Sequence, residues 1–288
     1  MGLVAEHRIE LVECPRDAIQ GIKHFIPTKI KIEYINKLLT CGFDVLDCGS
    51  FVHPSAVPQM ADTADVIKGI GHRESSTELL VIVANERGAI RAAAFNRIKY
   101  LGYPFSLSEQ FQKRNTNSSR EDAFRRLEKI QDIARVSGKK VVAYISMAFG
   151  NPYGEEYKPE WVIEWAKRIH GLGINIISLA DTTSQANSTI IQQLFHEMNV
   201  ELPDVTTGAH FHASPFDYKD KIEAALRAGC RRFDSALLGY GGCPFAKDDM
   251  VGNVPTEGLL DVLKSKGFKT SARINKEIKE LASQTYNG

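Results

Sequence analysis

The chain has 288 residues, 43% hydrophobic and 25% charged, the balance of a globular protein with a sizeable core. Its 36 basic and 35 acidic side chains leave a formal net charge of +1, so no global field points to nucleic acid or to an anionic membrane surface. No apolar stretch approaches the roughly 18 residues of a membrane span.

The opening MGLVAEHRIELVECP lacks a basic start, an apolar run, a small-residue cleavage site and a myristoylation signal, so a cytoplasmic location is expected. The five cysteines (Cys14, Cys41, Cys48, Cys230, Cys243) are odd in number and show no CxxC spacing. Reduced thiols are expected rather than a disulfide framework.

In chain order, strands are expected at 8–14, 43–49, 79–84, 98–103, 140–147, 174–181, 207–213 and 231–239. Most of these runs are apolar on both faces, as parallel strands covered by helices must be. Between them, TKIKIEYINKLLTC places Ile30, Ile32, Ile35, Leu38 and Leu39 near helical spacing and stops at Gly42. SSREDAFRRLEKIQDIARVSG opens on a Ser cap with an acidic first turn and ends at Gly138. KPEWVIEWAKRIHGLG has Pro159 in its first turn, and YKDKIEAALRAGC fills the gap before the eighth strand.

Eight strand–helix units over about 250 residues predict a single α/β domain, a closed (β/α)8 TIM barrel. The competing open doubly wound sheet would carry GxGxxG after its first strand, and none is present. No Pro-, Gly- or Ser-rich linker divides the chain. One catalytic domain over residues 1–288 is expected, with the barrel over 8–268 and an extra helical tail over 269–288.

A barrel of this kind keeps its chemistry at the carboxyl ends of the strands. There the sequence offers Arg16 and Asp17 after the first strand, with Gln20 close behind, and Asp47 in the second. Asp181 and Thr182 end the sixth, His210 and His212 lie on one face of the seventh, and Cys243 and Asn253 lie in the Gly-rich segment after the eighth. Taken singly, the histidines could be a structural pair, Arg16–Asp17 a solvated turn, Asp181 a helix cap and Cys243 a small buried residue. Asp47 is different: a carboxylate inside an apolar strand costs several kcal/mol unless paired, so it needs a partner such as arginine. Together these groups point to a mixed nitrogen and oxygen site for an octahedral divalent ion.

The stretches VECPRDAIQ, GSFVHPSAVPQMAD, ISLADT, HFH and GYGGCPFAK…GN together resemble the 3-hydroxy-3-methylglutaryl-CoA lyase family of metal-dependent barrel enzymes, over about residues 8–265. The resemblance implies Asp17, His210, His212 and Asn253 as ligands of Mg or Mn, and an acyl-CoA substrate cleaved to acetyl-CoA and acetoacetate. It implies that Arg16 balances substrate and enolate charge and that Cys243 is a proton donor on a mobile loop. Asp47 and Asp181 fall at active-site positions, and Gln20 and Thr182 beside the substrate. A homodimer is implied, with neither nucleic acid nor membrane as partner. Two departures stand out. Asp47 replaces the family's usual Glu, and HFHA carries Ala213 where the family has an acid. A Claisen-type synthase of the same barrel group and a catalytically silent barrel are the alternatives, the first set against by the cysteine loop.

Overall fold

The computed structural model describes residues 8–71, 74–242 and 251–287. Eight parallel strands close on themselves in the order β1 to β8: Glu10–Glu13, Val45–Ser50, Glu78–Ile82, Ile98–Ser106, Lys140–Ser146, Ile176–Asp181, Thr206–Phe211 and Arg232–Ser235. Closure is by β1 on β8, with Val12 opposite Asp234. The chain is therefore a (β/α)8 barrel, as the alternation of apolar runs and amphipathic segments predicts.

The strands are joined by α1 (Pro15–Gln20), α2 (Thr28–Leu38), α3 (Thr63–Gly69), α4 (Glu86–Ala93), α5 (Glu109–Thr116) and α6 (Arg120–Val136). The ring continues with α7 (Pro159–Gly171), α8 (Ser188–Glu201), α9 (Tyr218–Arg227) and α10 (Thr256–Ser265), and α11 (Lys276–Asn287) follows it. Local signals act as expected. Ser119 caps α6 through the Asp122 N–H, and Pro159 opens α7, where a missing N–H costs nothing.

Alternate strand residues face opposite ways. Leu11, Leu46, Leu79, Val81 and Leu101 join the large core between barrel and helices, while Val12, Val45, Leu80, Val142 and Tyr144 fill the barrel. Above them the interior turns polar.

Two strand ends differ from expectation by more than two residues. β4 continues to Ser106 through Pro104, which pairs with Tyr144. A proline lacks an N–H and argues against a central strand, but this one lies near the strand's end and faces the cavity at the top of the barrel. β8 stops at Ser235, because Leu238 takes φ 62° and the chain turns there instead of running on to residue 239.

Candidate metal centre and active site

The first strand delivers Arg16 and Asp17 onto the opening turn of α1, where both are buried. A solvated turn is thereby excluded. Arg16 donates from Nε and Nη2 to Asp47 Oδ2 (3.0 and 2.5 Å), and from Nη1 to Asp17 Oδ1 (2.7 Å) and Gln20 Oε1 (3.0 Å). Asp47 has the arginine partner its burial demands, and its shorter side chain reaches the guanidinium directly. Burial pushes the Asp47 carboxyl up to about 6 in spite of Arg16. The two carboxylates outweigh the opposing effect of burial on Arg16 and hold its proton more firmly than usual.

Asp17, His210 and His212 each place a ligating atom within 4.8 Å of the others. Burial alone would raise Asp17, but Arg16 and the two imidazoles prevail and its carboxyl sits at about 2. Burial drives His212 down to about 4, so it is neutral at physiological pH. Its Nδ1 is buried without a hydrogen bond among the described residues. An ionised carboxylate beside a neutral imidazole with an uncommitted nitrogen is the donor set a divalent cation requires. The residues present fit a metal.

Asn253 closes the other side. Its Nδ2 donates to Asp17 Oδ2 (2.8 Å) and to the Tyr240 carbonyl (2.9 Å), so the amide nitrogen, not the oxygen, faces the carboxylate. Gly241 (φ 114°) lies against this spot, where a Cβ would stand 3.0 Å from the Asp17 carbonyl oxygen. Only glycine lets the stem of the Gly-rich segment approach so closely. Cys243 itself lies outside the described residues. Cys14, Cys41, Cys48 and Cys230 are buried free thiols.

A cavity of about 350 Å³ opens above the cluster. Arg16, Asp17, Gln20, Thr182, His210 and His212 line it, and His53 faces it too. Arg114 and Arg126 add positive charge to its wall.

Asp47 and Asn253 do not line the cavity but bond to Arg16 and Asp17, which do. Asp181 is the candidate among the described residues whose side chain neither lines the cavity nor hydrogen-bonds to another candidate. Its oxygens accept from the Gln185 and Ala186 N–H groups and from Lys221 Nζ (2.8 Å). Lys221 is 2% exposed and also donates to the His212 carbonyl (3.0 Å). The pair therefore ties the backbone of His212 to the β6 end. Nothing at position 213 supports the histidines, since Ala213 offers only its N–H, to the Gly252 carbonyl. The carboxylate beside His210 is Asp234, from β8 (3.0 Å). Both Asp234 and Lys221 escape a reading confined to strand ends, although each is signalled by a charge in an apolar setting: Asp234 within RFDSALL, Lys221 on the face of α9 shared with Ile222, Ala224 and Ala225.

A closed parallel barrel with a carboxylate and two imidazoles converging at its strand ends defines a (β/α)8 protein of the kind that carries enzyme chemistry on its carboxyl face. Comparison with known proteins narrows this: residues 8–283 match the HMGL-like family, and the chain belongs to it. It is 36% identical over 269 residues to the cytoplasmic 3-hydroxy-3-methylglutaryl-CoA lyase of Rattus norvegicus, covering 93% of this chain and 78% of that protein. It is 34% identical to the mitochondrial hydroxymethylglutaryl-CoA lyase of the same species, covering 93% and 82%. Among solved structures, an HMG-CoA lyase from Acinetobacter baumannii in complex with coenzyme A and 3-methylmalate superposes with a TM-score of 0.88 at 28% identity, over 99% of this chain and 91% of that one. The hydroxymethylglutaryl-CoA lyase of Pseudomonas aeruginosa gives 0.87 at 32%, over 97% and 92%. Among the described residues no helix is long and apolar enough to cross a membrane.

Proposed function

We propose that this protein is a carbon–carbon lyase that cleaves 3-hydroxy-3-methylglutaryl-CoA to acetyl-CoA and acetoacetate, using one catalytic domain and a divalent cation, Mg or Mn. The observation that carries this reading is the convergence of Asp17, His210 and His212 beside Arg16 in one cavity. Asp17, His210 and His212 would hold the ion, and Asn253 would join them by turning its amide oxygen inward. When bound, the ion would lower the pKa of the substrate's tertiary hydroxyl and fix its geometry.

The remaining chemistry falls to the chain's own groups. The hydroxyl must lose its proton as the bond to the thioester arm breaks. Asp17, at about 2, holds protons poorly. It can still accept through a free carboxylate lone pair once the hydroxyl pKa is lowered, whereas His210, with its hydrogen on Nδ1 toward Asp234 and Nε2 on the ion, would have no lone pair left. The electrons pass to the acetyl-CoA enolate. Of the five N–H groups of Arg16, four are committed to Asp47, Asp17 and Gln20, which leaves one on Nη2 for the developing oxyanion. Asp47 and Gln20 aim that guanidinium. Thr182 lines the cavity, and its hydroxyl accepts from the Met147 N–H. Arg114 and Arg126 suit the phosphates of the CoA arm. Asp181 acts at a distance, holding His212 through Lys221. Cys243 protonates the enolate carbon to release acetyl-CoA. A homodimer working in the cytoplasm completes the proposal.

The test is acetoacetate release from 3-hydroxy-3-methylglutaryl-CoA by purified protein with Mg²⁺ or Mn²⁺, then with EDTA. Metal-dependent product supports the reading. Folded, metal-loaded protein that forms none refutes it.

A further inference from the structure

His210 belongs to two clusters at once. One joins it to Asp17 and His212; the other joins it to Cys14 and Asp234, with ligating atoms again within 4.8 Å. The second cluster lies deeper in the barrel. Asp234 is opposite His210 in the β7–β8 register and is 4% exposed. Cys14 is buried beside it, and its thiol points at the Val12 carbonyl.

This inner cluster is poorly suited to a second ion. Burial raises the Cys14 thiol well above its ordinary range, which disfavours the thiolate that metals bind. The Asp234 oxygen nearest the ring is already spent on His210 Nδ1 at 3.0 Å.

A neutral imidazole carries one N–H. An ionised carboxylate can only accept, so the hydrogen between the two groups must sit on Nδ1. The lone pair is then left on Nε2. Rotating the ring by half a turn would lose this bond and set a carbon against the carboxylate. The ring is also boxed by its neighbours, with Tyr144 edge-on at 5.6 Å between centroids and His212 at 5.3 Å.

We propose that Asp234 is a positioning residue for the active site: it fixes the tautomer and orientation of His210 so that the Nε2 lone pair is presented to the Asp17–His212 cluster. Asp234 thereby takes over from β8 the support that Ala213 does not provide. A carboxylate behind a ligating histidine sets both its basicity and its ring angle. The consequence for metal binding rests on the function proposed above; the hold on the ring does not.

The experiment has two arms. First, long-range ¹H–¹⁵N spectra of metal-free wild-type protein, labelled at histidine and recorded at a pH where the ring is neutral, read the tautomer of His210, assigned with His210→Gln. The expected result is Nδ1–H with a bare Nε2. Second, Mn²⁺ binding is titrated for wild type and for Asp234→Asn. The variant amide can donate to Nδ1 and push the hydrogen to Nε2. Affinity should fall by about 10- to 100-fold, with the tautomer signal shifted and the kcat at saturating metal lowered. An Nε2–H tautomer in the wild type overturns the proposal without any variant. So does a folded Asp234→Asn protein with unchanged tautomer and Mn²⁺ affinity. Wild type with Nδ1–H that binds no Mn²⁺ removes the metal reading and leaves the hold of Asp234 on the ring supported.

Discussion

Replacing Glu13 with glutamine tests how the barrel anchors the segment that carries Cys243. Glu13 ends β1, is fully buried, and accepts from the Leu237 N–H (2.8 Å) and the Thr256 hydroxyl (2.6 Å). These two partners flank residues 238–255, so one carboxyl ties both stems. Burial lifts its pKa from 4.5 to about 8, while the hydrogen bonds from Thr256 and Leu237 pull the other way. A raised folded-state value means that the fold prefers the neutral acid. The stability this group contributes is complete below its unfolded pKa, declines as pH rises above about 4.5, and is gone above about 8. At about 1.4 kcal/mol per unit, the loss reaches a ceiling of about 3 kcal/mol by pH 7.

Glutamine mimics the protonated acid, with an oxygen for the Leu237 N–H and an amide hydrogen for Thr256 Oγ1, but it does not titrate. For a chain of this length the unfolding entropy is about 0.6 kcal/mol/K, so the difference amounts to about 5 °C in Tm. The assay is thermal denaturation of both proteins from pH 5 to 8.5 at constant ionic strength with EDTA present, so that metal linkage is absent from both curves. All other titrating groups cancel in the difference. Wild type should lose ground steadily to Glu13→Gln as pH rises. Parallel curves, or a variant that loses ground at high pH, would refute the reasoning.

Lys221→Met should leave the Asp181 carboxylate buried on two backbone N–H groups alone, at a cost of about 3–5 kcal/mol; urea unfolding measures it, and Asp181→Asn on the same background should recover part of the loss. Asp47→Ala should free the Arg16 Nε and Nη2 to swing toward Asp17, lowering kcat/KM by at least about 100-fold with a smaller change in KM; a ratio unchanged in folded protein would remove Asp47 from the site. Cys243→Ala should abolish most turnover while Mn²⁺ affinity stays at the wild-type value, and a thiol reagent should inactivate the wild type less in the presence of substrate. His212→Ala should lose Mn²⁺ binding outright, read by the same titration.

Much of this was legible in the chain. Strands buried on both faces must be apolar throughout, and amphipathic helices must separate parallel neighbours, so composition and periodicity are enough to announce eight units and a closed barrel. Asp47 announced a partner because an unpaired carboxylate cannot lie in such a strand. Arg16, Asp17, His210 and His212 were placed by their position at strand ends. Strand limits were less secure, as Pro104 and Leu238 show, because pairing and turn geometry are settled by neighbours far away in sequence.

Tertiary structure alone decided which charges serve which. Asp181 and Asp234 both sit in apolar strands, and nothing local says which partner each will meet. The β7–β8 register puts Asp234 beside His210 on the adjacent strand, while the sheet pleat and α9 turn Asp181 toward Lys221. The sequence by itself determined the barrel and the groups its carboxyl face would carry, since burial and periodicity act locally. Pairing of those groups is a long-range matter, set by strand register and by the low dielectric that penalises every unmatched charge in the interior.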